Sequence, residues 1–216
     1  MSRVEAVITD FGGVLTSPLL DSFAAFQETS GDPGVSLEAL GMAMAAVAVR
    51  AGVNPLFELE TGRMSEATFL DALGAELTAA LGRPVAMTDF GERYFAHLYP
   101  NEPMIEYMRS LRGREYKLAI CTNNVREWAN RWRAMLPVQE IFDVVVDSAF
   151  VGTRKPEPEI YQITLERLAV PAAGAVLIDD VELNCEAARE LGIRAICFRS
   201  TEQAIEETET VLASAV

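Results

Sequence analysis

Five short runs of Val, Ile, Leu and Ala, at 4–9, 117–121, 142–146, 175–178 and 193–198, are continuous where an amphipathic strand would alternate. That is the pattern of strands covered on both faces. Each of the last four is followed by apolar positions at helical spacing, around 125–135, 157–168, 184–191 and 201–212. This rhythm predicts an α/β fold, a Rossmann-like three-layer α/β/α sandwich around a parallel sheet. The first run breaks the rhythm. About a hundred residues separate it from the second, far more than one crossover needs, and the stretch 19–99 reads almost wholly helical. The expected organisation is a catalytic core of 1–17 and 100–216 with a helical cap, 18–99, inserted after the first strand. Helix starts are expected at Ser36, at Ser65 with Glu66, and at Thr88 with Asp89 and Glu92. Met42, Met44 and Val47 read as the cap's own core. Thr16-Ser17-Pro18 and Pro100-Asn101-Glu102-Pro103 bound the cap and are hinge candidates, since proline interrupts helix on either side.

Composition narrows the function classes. The chain has 216 residues, half of them hydrophobic and 23% charged, which suits one globular core with an insert and argues against disorder. Eighteen Lys and Arg stand against 32 Asp and Glu, a net charge of −14, so nucleic acid and anionic membrane surfaces are not expected partners. Lysine occurs only at positions 117 and 155. The three cysteines, Cys121, Cys185 and Cys197, are too widely spaced for a zinc knuckle, and His97 is the single histidine. A reducing, cytoplasmic location is expected. The longest apolar run, 39–49, falls well short of the roughly 20 residues that span a bilayer, and no signal peptide or lipidation motif is evident.

In a parallel sheet the working crevice lies beyond the carboxyl ends of the strands. There the chain places Asp10-Phe11-Gly12-Gly13-Val14 after strand one, Thr122-Asn123-Asn124 after strand two, Arg154-Lys155-Pro156 in the loop after strand three, and Asp179-Asp180 at the end of strand four. Each has a structural explanation by itself: an Asp opening a turn, Thr122 or Asn124 capping a helix with Glu127, a first-turn proline at Pro156. Together, in order along one rim, they describe a phosphate site. Asp10, Asp179 and Asp180 would carry −3, and a divalent cation with Lys155 would supply +3. Oxygen-only ligation suits Mg²⁺ and not zinc, so a magnesium site is expected. Arg50, Arg63, Arg83 and Arg93 could meet an anion from the cap or simply form a solvated face.

These residues resemble the haloacid dehalogenase superfamily of aspartate-nucleophile hydrolases: Asp10-Phe11-Gly12-Gly13-Val14-Leu15, Thr122 in Cys-Thr-Asn-Asn, Lys155 in Arg-Lys-Pro-Glu-Pro, and Ile178-Asp179-Asp180 with Asn184. Asp-Phe-Gly-Gly-Val-Leu, Glu60-x-Gly62-x-Met64-Ser65 and Asp179-Asp180-x-x-x-Asn184 are most similar to the branch with bacterial glucose-1-phosphate phosphatase and the amino-terminal phosphatase domain of soluble epoxide hydrolases. The resemblance implies a Mg²⁺-dependent phosphatase acting on small phosphorylated metabolites, sugar phosphates among them, as a monomer or homodimer. It implies Asp10 as nucleophile, Thr122 and Lys155 as its catalytic partners, and Gly13, Thr122, Asn123, Asn124 and Lys155 as substrate contacts. It also implies Asp10, the Gly12 carbonyl, Asp179 and Asp180 around the metal. One position departs from the family pattern: the usual acid–base Asp two residues after the nucleophile is Gly12. A 2-haloacid dehalogenase, which also lacks that Asp and needs no metal, and a weakly catalytic phosphate-binding module are the alternatives. A cap-lysine Schiff base is excluded because 19–99 holds no lysine.

Overall fold

The computed structural model describes residues 3–18 and 35–214. The helical expectation for 19–34 lies outside the described residues. Five strands, β1 (Ala6–Thr9), β2 (Lys117–Thr122), β3 (Val144–Asp147), β4 (Ala175–Asp179) and β5 (Arg194–Cys197), form one sheet in the order β3-β2-β1-β4-β5. Every neighbouring pair is parallel. Successive strands build outward from β1 on one side through β2 and β3, then on the other through β4 and β5. The winding therefore reverses between β1 and β4, the switch point at which such sheets open a crevice.

The continuous apolar runs are explained by the pleat. Val7, Leu118, Ile120, Val176, Ile178 and Ile196 enter one buried cluster, while Ala6, Ile8, Ala119, Cys121, Val146 and Leu177 enter the other. The first face is covered by α5 (Glu102–Gly113) through Met104, Met108 and Leu111, and by the terminal helix Thr201–Ala213 through Ala204 and Leu212. The second is covered by Pro158–Leu168 and Glu182–Glu190, through Ile160, Tyr161, Leu168 and Ala188. The third strand starts later than the apolar run suggests. Phe142 caps the short helix Val138–Ile141 and packs its ring into the first cluster, so its hydrophobicity belongs to helix packing and not to the strand.

Between β1 and α5 lie four helices among the described residues: α1 (Leu37–Ala51), α2 (Pro55–Glu60), α3 (Glu66–Leu81) and α4 (Phe90–Phe95). Ser36 and Ser65 cap α1 and α3 as expected, their hydroxyls accepting from Ala39 N and Thr68 N. Thr88 does not cap α4. Asp89 occupies that position at φ 56° with no side-chain bond to the helix, and Gly91 of this short helix packs directly on Trp128 and Glu66; tertiary contact replaces the cap. Leu40, Ala43 and Val47 form the buried stripe of α1, together with Leu59, Phe69, Leu73 and Leu77. Met42 falls off that i, i+3, i+7 stripe and is 65% exposed, so it is not core. Where the insert leaves and rejoins the core, Thr16 bridges Pro100, Ser17 N donates to Tyr99 O at 2.7 Å and Asn101 N to Leu15 O at 2.9 Å. No described helix is long and apolar enough to cross a membrane.

Candidate active site

The switch point brings the ends of β1 and β4 side by side, Thr9 pairing with Ile178 and Asp10 N donating to Ile178 O at 2.9 Å. Asp10 and Asp179 thus leave adjacent strands at the same level. Lys155 arrives from the turn between the four-residue helix after β3 (Ser148–Val151) and the helix Pro158–Leu168, with a cis bond to Pro156. Its ammonium lies 2.9 Å from Asp10 Oδ1 and 2.6 Å from Asp179 Oδ2. The backbone of Lys155 is held by Asn123, whose amide accepts from Lys155 N at 2.8 Å and donates to Lys155 O at 2.9 Å.

Asp179 accepts at both of its oxygens. Besides Lys155, its Oδ1 accepts from Val181 N and from Asn184 Nδ2, both at 2.9 Å. Asn184 is fixed in turn by Tyr161, whose hydroxyl donates to its carbonyl at 2.9 Å. Asp10 has looser company: Oδ1 accepts from Phe11 N at 2.7 Å and faces Lys155. One oxygen each from Asp10, Asp179 and Asp180 lie within 4.8 Å of one another. Burial pushes the Asp10 carboxyl up to about 7, Lys155 pulling it down while Asp179 and Asp180 add to the rise. The Asp180 carboxyl is likewise raised by burial and by Asp179. Burial by itself would lower the Lys155 pKa, but the carboxylates of Asp10 and Asp179 outweigh it and hold the ammonium charged, well above the ordinary lysine value. Three acidic groups and one ammonium leave room for one divalent charge.

The sequence-derived rim is therefore one place in space. Thr122, 1% exposed, ends β2 beside it, and Asn124 lines the same cavity with its Oδ1 taken by Val125 N at 2.9 Å. That bond makes Asn124 a local turn and not the helix cap expected with Glu127; the following 3₁₀ turn, Arg126–Trp128, has no side-chain cap. Gly13 faces inward, its N–H donating to Thr16 Oγ1 at 3.1 Å. At φ +74°, a Cβ on Gly13 would collide with the Asp180 carboxylate. Gly13→Ala is expected to cost about 1–2 kcal/mol for the left-handed conformation and to displace Asp180 besides; a lowered denaturation midpoint is the check.

Other contacts were not legible in sequence. Arg154 Nε donates to Glu60 Oε2 at 2.6 Å, tying the end of α2 to the loop that carries Lys155, with the guanidinium 4.0 Å from the centroid of Phe57. Burial raises the Glu60 carboxyl, against the pull of Arg154. Ser148 Oγ accepts from Asn124 N at 3.0 Å and donates to Glu60 O at 2.5 Å, joining the sheet edge, the β2 loop and the insert. Trp128 Nε1 donates to Glu66 Oε1 at 2.8 Å. Of the arginines singled out in the insert, Arg50 pairs with Glu76 and Arg63 with Glu58, both half-exposed or more. Among the described residues, Arg154 and Lys155 supply the cations that line the cavity.

Comparison with known proteins shows the family. The model of the haloacid dehalogenase-like hydrolase family matches residues 64–198. The chain is 30% identical over 197 residues to the phosphorylated carbohydrates phosphatase of Thermotoga maritima, covering 89% of this chain and 84% of that one. It is 31% identical over 115 residues to bifunctional epoxide hydrolase 2 of Sus scrofa, a match that spans 51% of this chain and only 21% of that much longer enzyme. Among solved structures, a haloacid dehalogenase family enzyme of Bacteroides thetaiotaomicron in complex with magnesium and inorganic phosphate superposes with TM-score 0.62 at 20% identity, covering 91% and 94% of the two chains. The L-2-haloacid dehalogenase of Xanthobacter autotrophicus superposes with TM-score 0.64 at 18% identity over 96% and 83%. At such identities the two structures speak for the fold.

Proposed function

The chain belongs to the haloacid dehalogenase-like hydrolases, and on that premise we propose that it is a Mg²⁺-dependent phosphatase in which Asp10 attacks small phosphomonoesters. The observation that carries this reading is the placement of Asp10 between a buried ammonium and two further carboxylates at the mouth of a cavity. A carboxylate so placed, with charge on it balanced from one side only, is suited to accept an electrophilic centre that brings a cation with it.

The donor set fits magnesium. All the candidate ligands are oxygens, and burial pushes the nearby Cys121 thiol up to about 11, so no thiolate competes. Because both oxygens of Asp179 are already engaged, Asp10 and Asp180, with the Gly12 carbonyl, would hold the ion directly and Asp179 would orient Lys155. When bound, the ion neutralises the acidic cluster and the phosphoryl oxygens. Asp10 forms a bond to phosphorus as the ester P–O bond breaks and the leaving oxygen departs as an alkoxide or phenoxide that takes its proton from water; water then hydrolyses the aspartyl phosphate, releasing inorganic phosphate and restoring the Asp10 carboxylate. Lys155 and the Thr122 hydroxyl bind phosphoryl oxygens. Gly12 supplies no carboxyl to protonate the departing alkoxide oxygen, so esters of more acidic alcohols and phenols are favoured.

Two measurements test the reading. Phosphate release from p-nitrophenyl phosphate is expected with Mg²⁺, to vanish on chelation and to return on readdition; halide release from 2-chloropropionate without metal would instead establish the dehalogenase. Protons should also compete with the ion. A carboxyl that titrates near 7 is protonated below that pH, and the cation binds the deprotonated form. Apparent Mg²⁺ affinity is therefore expected to climb on the order of tenfold per pH unit up to about 7 and then level off, with proton release on the acidic side. Calorimetry in buffers of different ionisation enthalpy reads this directly; affinity independent of pH from 5 to 8 would contradict it.

A further inference from the structure

A cavity of about 440 Å³ runs from Asp10, Gly12 and Lys155 up between the inserted helices. That volume lies within the range of small-molecule sites. Its upper wall is apolar: Leu40 and Met44 come from α1, Phe69 and Leu73 from α3, Tyr94 from α4 and Trp128 from the β2 loop. Tyr94 and Trp128 stack with ring centroids 5.5 Å apart, giving the wall a flat aromatic side. Among the described residues, several of the polar groups in these walls are turned onto each other. Glu60 and Arg154 neutralise one another, Trp128 Nε1 is taken by Glu66, and the Asn184 and Asn123 side chains are spent on Asp179 and on the Lys155 backbone.

We infer that the leaving group of the substrate is an apolar body, so that the enzyme prefers phosphomonoesters of hydrophobic alcohols or phenols over sugar phosphates. The inference rests on the phosphatase reading above and narrows it. Two physical arguments support it. A methylene moved from water into such a wall gains about fourfold in affinity. A sugar hydroxyl carried against the apolar wall gives up its water without a partner there, losing roughly tenfold. The carbohydrate specificity named for the Thermotoga relative is therefore not expected to transfer.

An n-alkyl phosphate series, from ethyl through butyl to hexyl, isolates the effect, because leaving-group acidity is nearly constant along it. With Mg²⁺, kcat/KM is expected to rise about fourfold per methylene until the cavity is filled, and hexyl phosphate to exceed glucose 6-phosphate by at least about tenfold. Met44→Gln, and separately Leu70→Gln, each at a partly buried position in the wall, should flatten the slope while leaving inhibition by inorganic phosphate unchanged. Calorimetry with methylphosphonate and hexylphosphonate reads binding without turnover. Turnover of all esters with a flat series, or a preference for the sugar phosphate, would overturn the apolar site and leave the phosphatase reading standing. Tighter binding of hexylphosphonate with no ester hydrolysed would overturn the phosphatase reading and support the apolar site.

Discussion

Asp10→Asn is expected to remove phosphatase turnover, on the order of 10⁴-fold or more, with no loss of folding stability. The two halves of this expectation have different causes. Asparagine matches aspartate in shape, and its Oδ1 can still accept from Phe11 N, now at 2.7 Å from the carboxylate. The negative charge, however, is held in the fold against burial and against Asp179 and Asp180, which is why the carboxyl titrates near 7. A group whose folded pKa is raised favours folding most when protonated, and its stabilisation is lost as pH climbs through 7. The neutral amide relieves that repulsion at neutral pH at the expense of the contact to Lys155, so the thermal midpoint should hold steady or rise. What the amide lacks is the nucleophilic oxygen. Activity within tenfold of the wild type, measured by phosphate release, would end the assignment of Asp10.

Lys155→Met should be costly in the opposite way, destroying both stability and activity. The ammonium is 1% exposed and lies between Asp10 and Asp179, the latter wholly buried. Taking away one partner of a buried pair strands the other charge, which costs about 3–5 kcal/mol. Asp179 would keep its bonds from Val181 N and Asn184 but lose the one that neutralises it. The double variant Lys155→Met with Asp179→Asn should recover much of the denaturation midpoint, since the neutral amide no longer needs a cation, yet remain inactive because the phosphoryl group has lost its ammonium. Equal midpoints for wild type and Lys155→Met would show that the pair contributes little to folding.

The extent to which the site was legible differs from residue to residue. Asp10, Thr122 and Asp179 could be placed because each directly follows an apolar run, and a parallel sheet delivers all its strand ends to one edge. Lys155 was legible for a second reason: the chain has one other lysine, Lys117, and it stands at the opposite end of β2, where its ammonium donates to Leu168 O at 2.8 Å. The Thr88 cap failed because a local signal was overridden by the packing of Gly91 on Trp128. Met42 failed because hydrophobicity without phase does not say which way a helical residue points. Arg154 stands in a loop next to Lys155, and its partner Glu60 lies 94 positions away, so their pairing has no local signal.

What the sequence by itself determined is the sheet, its polar edge and the charge balance of three carboxylates against one ammonium, because period, order and residue type are properties of the chain taken locally. The tertiary structure alone decided how many donors each of those carboxylates meets, three of them at Asp179. It decided likewise that Glu60 meets Arg154 across 94 positions and Glu66 meets Trp128 across 62. Those long-range pairs spend the polar groups of the insert on one another. Among the described residues the wall that remains over Asp10 is largely apolar, and no spacing along the chain records it.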